Sequence, residues 1–208
     1  MKKIILFFCF IVISIFCLSA CNKTEKKSLP QTETEVPEFE DYLESFINND
    51  ESAIEKLKKG EIAPCESISS LIQYYLQDKD EETCIRIVKL ASDNKGKMVY
   101  GMDFSNPLIE SCKMSYYELT KYLLTTPAKE YINYPFSQYA PALFWAIQNA
   151  NIELVELLLK NGADPNSETH YGRTYMDEVD DFVVRKKLTI DIANKIKKLL
   201  IQYGYTDN

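Results

Sequence analysis

Apolar residues recur at helical spacing over most of the chain, in short runs that polar residues interrupt. In residues 143–166 (LFWAIQNANIELVELLLKNGADPN), Leu143, Ala146 and Ile147 form one apolar stripe. The polar QNAN segment breaks the pattern, a second stripe follows, and Gly162 stands where a helix end favours left-handed dihedrals. Neither helix exceeds about three turns, so neither is stable alone in water. The pattern predicts helix pairs that bury their apolar faces against neighbouring pairs.

The two-helix pattern recurs along the chain. Residues 107–124 (PLIESCKMSYYELTKYLL) align with residues 142–159 (ALFWAIQNANIELVELLL) at an offset of 35 residues, and Asn133 and Asn166 are 33 residues apart. Upstream, residues 42–60 (YLESFINNDESAIEKLKKG) have the same form, and GRTYMDEV opens a further unit near the C-terminus. β-strand alternation is absent, so these units predict an all-α repeat protein.

These units resemble the ankyrin repeat, in which a Thr-Pro-Leu-His turn, two helices and a Gly-Ala-Asp-x-Asn finger recur. Residues 161–166 (NGADPN) and 171–179 (YGRTYMDEV) match that pattern closely, whereas residues 141–147 (PALFWAI) depart from it at the turn. The resemblance implies an all-α fold, an ankyrin-type helical solenoid of about four to five helix-turn-helix repeats with short finger turns. A plain helical bundle is the alternative.

The first residues have the pattern of an export signal. A small positive region, Met1 to Lys3, precedes an apolar run over residues 4–18 that ends in LSAC at Cys21. The run is short for a membrane span, which needs about 20 apolar residues. LSAC resembles the lipobox of bacterial lipoproteins, which implies cleavage before Cys21 and a lipid anchor on its thiol. The alternative is an uncleaved signal anchor or an ordinary signal peptide.

The domain organisation follows from these patterns. Residues 1–20 are predicted to be the signal peptide, and residues 21–37 a lipidated cysteine with a flexible tether too polar to fold alone. Residues 38–208 are the predicted ankyrin-repeat domain, with repeats at 38–63 (the N-terminal cap), 68–98, 104–136, 139–170 and 172–208 (the C-terminal cap). The expected location is a bacterial membrane, exported and lipid-anchored, with the outer membrane or cell surface favoured.

Charge narrows the class of partner. Removing residues 1–20, which carry two lysines and no acid, moves the formal net charge from −7 to −9. Nucleic-acid binding needs a basic face, and the remaining chain has no such cluster in its sequence. The acidic balance favours a basic protein partner. We expect the lysines of the C-terminal repeat, Lys195, Lys197 and Lys198, to give it the polar outer face of a cap.

The cysteines suggest structure more than chemistry. Cys65, Cys84 and Cys112 follow Cys21 and allow one disulfide and one unpaired thiol. Cys112 lies on the apolar side of a helix, which favours a buried, inert thiol. That leaves Cys65 and Cys84 as a possible disulfide, although sequence alone does not fix the connectivity.

Candidate catalytic chemistry is absent from the sequence. His170 is the single histidine, and no CxxC, HExxH, GxSxG or glycine-rich phosphate loop occurs. We therefore predict no catalytic residue, metal site, cofactor or small-molecule substrate. The alternative is an enzyme with its nucleophile, Cys65 or Cys84, in residues 60–105.

The ankyrin resemblance implies that a protein partner binds on the finger tips and on the ends of the first helix of each repeat. The finger residues carried over are Met102, Asp103, Ser105, Gln138, His170, Tyr171 and Arg173. The helix-end residues are Lys113, Met114, Gln148, Asn149, Asp181 and Phe182. For adjacent tyrosines such as Tyr74 and Tyr75, packing at the edge of the core is favoured over partner contact.

The sequence thus predicts a non-catalytic, membrane-anchored ankyrin-repeat protein that binds a protein partner in the bacterial envelope. An immunity protein that neutralises a secreted toxin, and an envelope scaffold, are the alternatives.

Overall fold

Helix pairs make up the part of the chain that the structure, a computed structural model, describes: residues 36–98, 105–134, 140–169 and 172–206. These residues contain no strand, which confirms the all-α prediction. The ten α-helices are α1 Leu43–Ile47, α2 Glu51–Lys59, α3 Ile68–Ser70, α4 Glu81–Asp93, α5 Pro107–Lys113, α6 Tyr117–Leu123, α7 Ala142–Gln148, α8 Ile152–Lys160, α9 Tyr175–Val184 and α10 Ile190–Gln202. A 3₁₀ turn, Glu40–Tyr42, precedes α1, a π-helical turn, Leu71–Tyr75, continues α3, and a 3₁₀ helix, Pro127–Tyr131, follows α6.

Short polar side chains fix where most helices begin. Each accepts a backbone N–H bond from the first turn, and the Thr174 and Asp177 side chains form a reciprocal capping box on α9. The other such N-caps are Asp50, Ser67, Asp80, Asn106, Asn151 and Thr189. The local sequence therefore fixes where these helices begin, independently of the contacts between helices.

Glycines follow three of the second helices. Gly162 after α8 and Gly204 after α10 both have φ of +102°, and Gly60 after α2 has φ of +76°. Residues with a side chain rarely adopt these positive φ values, which glycine tolerates, so glycine favours the end of the helix there. The helix stop predicted at Gly162 is confirmed.

The helix pairs stack in chain order as repeats 1 to 5, from α1–α2 to α9–α10. The first helices α3, α5, α7 and α9 contact one another in succession, and so do the second helices α4, α6, α8 and α10. A continuous aliphatic core lies between them, in which repeat 4 buries Ala146, Ile147, Leu154 and Leu158 completely. This burial is what stabilises helices too short to stand alone.

Repeat 1 is joined to the stack by an arginine. The α1 helix contacts α4, and the Arg86 guanidinium on α4 donates to the Phe46 and Ile47 carbonyls at the end of α1, both at 2.7 Å. Carbonyls at a helix end have no partner within the helix, so the guanidinium satisfies them and complements the helix dipole.

One asparagine side chain joins repeat 3 to repeat 4, and another joins repeat 4 to repeat 5. The Asn133 amide donates to the Gly162 carbonyl at 3.0 Å and accepts from the Asp164 N–H at 2.8 Å. The Asn166 amide repeats this pattern with the Gly204 carbonyl at 3.0 Å and the Thr206 N–H at 2.9 Å. The 33 residues that separate Asn133 from Asn166 in the sequence are therefore the interval between equivalent bonds that join neighbouring repeats.

The C-terminal repeat is less polar outside than the sequence suggests. Lys195 and Lys198 are exposed, and Lys197 pairs with Asp180 at 2.6 Å. Three large aliphatic side chains are exposed on the same repeat: Val184, Ile190 and Ile201. The lysines thus supply polar surface as expected, and the repeat exposes these aliphatic side chains beside them.

The disulfide considered for Cys65 and Cys84 is not present in the structure, where both residues are buried thiols. They have different surroundings: the Cys65 Sγ lies 3.7 Å from the Glu40 carboxylate, and the Cys84 thiol donates to the Leu76 carbonyl at 3.4 Å. Cys112 is also a buried thiol, as its place on the apolar side of a helix predicts.

Candidate protein-binding surface

A turn of one geometry ends the first helix in four repeats. One residue past each helix C-cap has φ of +58°: Asn49, Ser115, Ala150 and Lys186. In repeat 3 the Ser115 N–H donates to the Cys112 carbonyl at 3.0 Å, and the Tyr116 N–H to the Ser111 carbonyl at 3.0 Å. This is a left-handed helix cap, here without glycine. Because the turn repeats, the last residues of successive first helices occupy equivalent places.

Counted from this turn, the residues in equivalent places are Lys113 and Met114 in repeat 3 and Gln148 and Asn149 in repeat 4. In repeat 5 they are Val184 and Arg185, because α9 has 10 residues whereas α5 and α7 have 7.

The extra turn of α9 corrects the placement of Asp181 and Phe182, which lie before the helix end. Phe182 is only 3% exposed and packs on the Phe144 ring at a centroid distance of 5.7 Å. Asp181 pairs with Arg185 at 2.6 Å. A partner therefore cannot reach the Phe182 ring in this conformation.

Repeat 2 carries the most exposed aromatic side chains at a first-helix end among the described residues. Tyr74 is 68% exposed and Tyr75 45% exposed, and both lie at the end of the π-helical turn that continues α3. Packing at the edge of the core, favoured from the sequence, is wrong for this pair. Their position at the end of a first helix marks Tyr74 and Tyr75 as candidate binding residues. The sequence gives this position only if the helices of repeat 2 are aligned with those of the other repeats.

The helix ends of repeats 3 and 4 are tied to each other. The amide of Asn149, the C-cap of α7, donates to the Cys112 and Lys113 carbonyls on α5, at 3.0 and 2.9 Å. The Lys113 ammonium pairs with Glu110 at 2.8 Å and lies 5.1 Å from the centre of the Trp145 ring. These polar groups hold neighbouring repeats in place, so the surface is preorganised.

Carboxylates at the fourth residue of α5 and α9 anchor the fingers. Ser105 is fully buried, and its hydroxyl donates to Glu110. Thr169 does the same with Glu178 at 2.9 Å. Ser105 is therefore a structural contact inside the repeat, not the exposed finger residue that the ankyrin resemblance implies.

Arg173 is engaged within its own repeat. Its guanidinium donates to the Asp177 carbonyl at 2.9 Å and lies 3.7 Å from Glu178 and 4.0 Å from Asp181. It remains partly exposed, so partner contact at Arg173 stays a prediction. The other predicted finger residues, Met102, Asp103, Gln138, His170 and Tyr171, lie outside the described residues.

The structure thus brings six helix-end residues of repeats 2 to 4 into one series, which we call the first-helix surface. The π-helical turn of repeat 2 contacts α5, and α5 contacts α7, so these first helices are neighbours in the stack. The surface consists of Tyr74, Tyr75, Lys113, Met114, Gln148 and Asn149. It combines aromatic rings, a thioether and amides, side chains suited to protein recognition.

Cys84 and Cys112 do not have the character of nucleophiles. Burial raises the pKa of Cys84 to about 12, and the nearby Asp80 and Glu81 carboxylates add to the shift. Burial likewise raises the pKa of Cys112 to about 12. A reactive cysteine needs a lowered pKa, so these thiols are suited to packing. No group of three or more His, Cys, Asp or Glu residues with metal-site geometry occurs in the described ranges.

Comparison with known families assigns the repeats. The family model for ankyrin repeats, in three copies, matches residues 66–169, which is half of the chain. The chain belongs to the ankyrin repeat family. The predicted ankyrin-type stack of helix pairs is thereby confirmed, and members of this family are non-catalytic scaffolds for protein–protein interaction. A search of curated proteins found no match. Within the described part of this ankyrin chain, no helix has the length and apolar character needed to cross a membrane.

Proposed function

We propose that this ankyrin-repeat chain is a lipid-anchored, non-catalytic protein of a bacterial envelope that binds a protein partner on its first-helix surface. The observation that carries the proposal is the exposure of Tyr74 and Tyr75 at the end of a π-helical turn that contacts α5 of repeat 3. Tyrosine supplies a large contact area at low entropic cost and is enriched where interfaces gain most of their affinity.

The first-helix surface is suited to binding because its backbone is fixed before a partner arrives. Bonds from Asn149 to the end of α5, and the Lys113–Glu110 pair, already order repeats 3 and 4. Little conformational entropy is then lost on association. The acidic balance of the whole chain favours a basic partner during encounter, while the tyrosines supply short-range contact.

The binding proposal is tested with variants of the full chain. Y74S/Y75S should lose the partner that wild-type protein crosslinks in gently solubilised membranes, whereas Y74F/Y75F, which keeps the rings, should retain it. K195S/K198S changes two exposed residues on α10 and serves as the control. Equal recovery of the partner by Y74S/Y75S and wild type would contradict the proposal. Recovery of a secreted toxin would favour the immunity role, and recovery of resident envelope proteins the scaffold role.

Membrane attachment is supported by the apolar N-terminal run that ends in LSAC at Cys21. Several acyl chains, each CH₂ contributing about 0.8 kcal/mol on burial, would anchor the protein durably. C21S should abolish incorporation of a fatty-acid label and prevent cleavage of the signal. A C21S protein that is still labelled and processed like wild type would exclude the anchor.

A further inference from the structure

The turn between α9 and α10, residues 185–189, differs from the corresponding turns of the other repeats. In repeats 1, 3 and 4 the left-handed residue is followed at once by the N-cap of the second helix. In repeat 5 the N-cap, Thr189, comes three residues after Lys186. The longer turn carries three consecutive cations, Arg185, Lys186 and Lys187, where the others read Asn48–Asp50, Met114–Tyr116 and Asn149–Asn151.

Exposed aliphatic side chains flank these cations. Val184, the last residue of α9, is 79% exposed, and Ile190, the first residue of α10, is 68% exposed. An exposed aliphatic residue is ordinary when it stands alone. Two of them on either side of a basic triplet form an amphipathic surface, which we call the basic turn, residues 184–190.

The conformation of the basic turn is fixed by the repeat beneath it. The Lys187 and Leu188 N–H groups both donate to the Phe182 carbonyl, at 2.8 and 3.1 Å, and the Lys186 N–H donates to the Val183 carbonyl at 3.0 Å. Leu188 is buried in the core. The exposed side chains are thus held on a rigid base, so that binding through them would cost little backbone entropy.

Two of the three cations remain available to a ligand. Arg185 pairs with Asp181 at 2.6 Å. Lys187 lies 5.3 Å from the centre of the Phe182 ring, and within the described ranges no carboxylate lies within ion-pair distance of Lys186 or Lys187. The basic turn therefore presents positive charge on a chain whose formal net charge is −7.

We infer that the basic turn docks on an anionic lipid surface. Phosphate groups of such a surface would accept hydrogen bonds from the Lys186 and Lys187 ammonium groups. The Val184 and Ile190 side chains would insert at the boundary between the headgroups and the acyl chains. A bilayer satisfies the charged and the apolar parts together. Because the rest of the chain is acidic and is repelled by anionic lipid, the turn also sets which end of the repeat stack faces the membrane. This docking is independent of the partner proposed for the first-helix surface.

The docking is tested by lysine acetylation of the full chain, read residue by residue by mass spectrometry. Phosphatidylcholine vesicles that contain phosphatidylglycerol should slow acetylation of Lys186 and Lys187 roughly tenfold or more relative to Lys195 and Lys198 in the same sample. Vesicles of phosphatidylcholine alone should not, and high salt should remove the effect. Since both vesicles can hold the N-terminal apolar segment, the difference reports the turn.

Variants separate the lipid surface from an acidic protein. V184S/I190S should lose most of the protection, whereas I201S, which changes an exposed isoleucine elsewhere on α10, should keep it. Equal acetylation of all four lysines with anionic vesicles would overturn the inference. The inference would also be overturned if soluble polyglutamate protected the two lysines as strongly as anionic vesicles do, and protected them equally in V184S/I190S. That result would indicate an acidic polypeptide as the ligand.

Discussion

Arg86 shows what one side chain does in a stack of short helices. Its guanidinium satisfies two carbonyls at the end of α1 and so attaches repeat 1 to α4. The planar group has the geometry for such paired bonds, which lysine lacks. Nothing in the sequence around Arg86 indicates this partner, because the two carbonyls lie 39 and 40 residues away.

The Arg86 contact predicts a difference between two arginines. R86Q should lower the free energy of unfolding by about 2 kcal/mol, since it removes the guanidinium donors from the Ile47 carbonyl and from the Phe46 carbonyl, which then keeps only the Asn49 N–H. R185Q removes an exposed pair with Asp181 and should cost less than about 1 kcal/mol. Urea unfolding of the two variants checks this, and equal midpoints would contradict it.

Asp80 predicts a pH dependence. The Thr83 N–H and hydroxyl bond its carboxylate, both at 2.9 Å, and hold the pKa of Asp80 below its ordinary value of 3.8. The charged form is thus favoured in the folded state, so its contribution is present above pH 3.8 and is lost as pH falls through the lowered pKa.

The Asp80 effect can be measured by unfolding at falling pH. D80N should flatten the loss of stability below pH 3.8, whereas D78N, the same change at an exposed neighbour, should follow wild type. Matching pH profiles for D80N and D78N would refute the role of Asp80.

At the scale of elements, sequence is most informative where the cause is local. N-caps such as Asp50 and Thr189 and stops such as Gly162 can be read from neighbouring residues, because they satisfy or terminate a helix within one turn. The length of α9 could not be read this way. Its additional turn is held by packing of Phe182 on Phe144, and it moves the helix end to Val184.

The asparagine bonds between repeats give a prediction for one element. N166A should remove the bonds to the Gly204 carbonyl and the Thr206 N–H, at a cost of about 1–2 kcal/mol, and loosen the end of α10. Hydrogen exchange at the Thr206 amide should become faster. N194A, at an exposed position on α10, is the control, and an unchanged Thr206 rate in N166A would count against the bond.

At the scale of the whole molecule, stability comes from contacts between neighbouring repeats. Leu158 lies fully buried in repeat 4, between repeats on both sides, whereas the fully buried Leu200 belongs to repeat 5. A repeat inside the stack supports two neighbours and a terminal repeat only one.

The position of a repeat in the stack therefore predicts how many repeats a cavity in its core destabilises. L158A and L200A should each lower the free energy of unfolding of the repeats they affect by about 2–5 kcal/mol. L158A should speed hydrogen exchange in repeats 3, 4 and 5, whereas L200A should affect mainly repeat 5. Equally local effects of the two variants would mean that the repeats unfold independently.

The sequence by itself determined the helix pairs, their caps, the repeat interval and the family, because short-range periodicity and helix termini encode them. Only the tertiary structure decided which side chains lie at the surface. It exposed Tyr74 and Tyr75, buried Ser105 and Phe182, and kept Cys65 and Cys84 apart as thiols. Exposure depends on which repeat packs over a residue, and that contact joins positions more than 30 residues apart, as the Asn133–Asp164 bond does at a separation of 31.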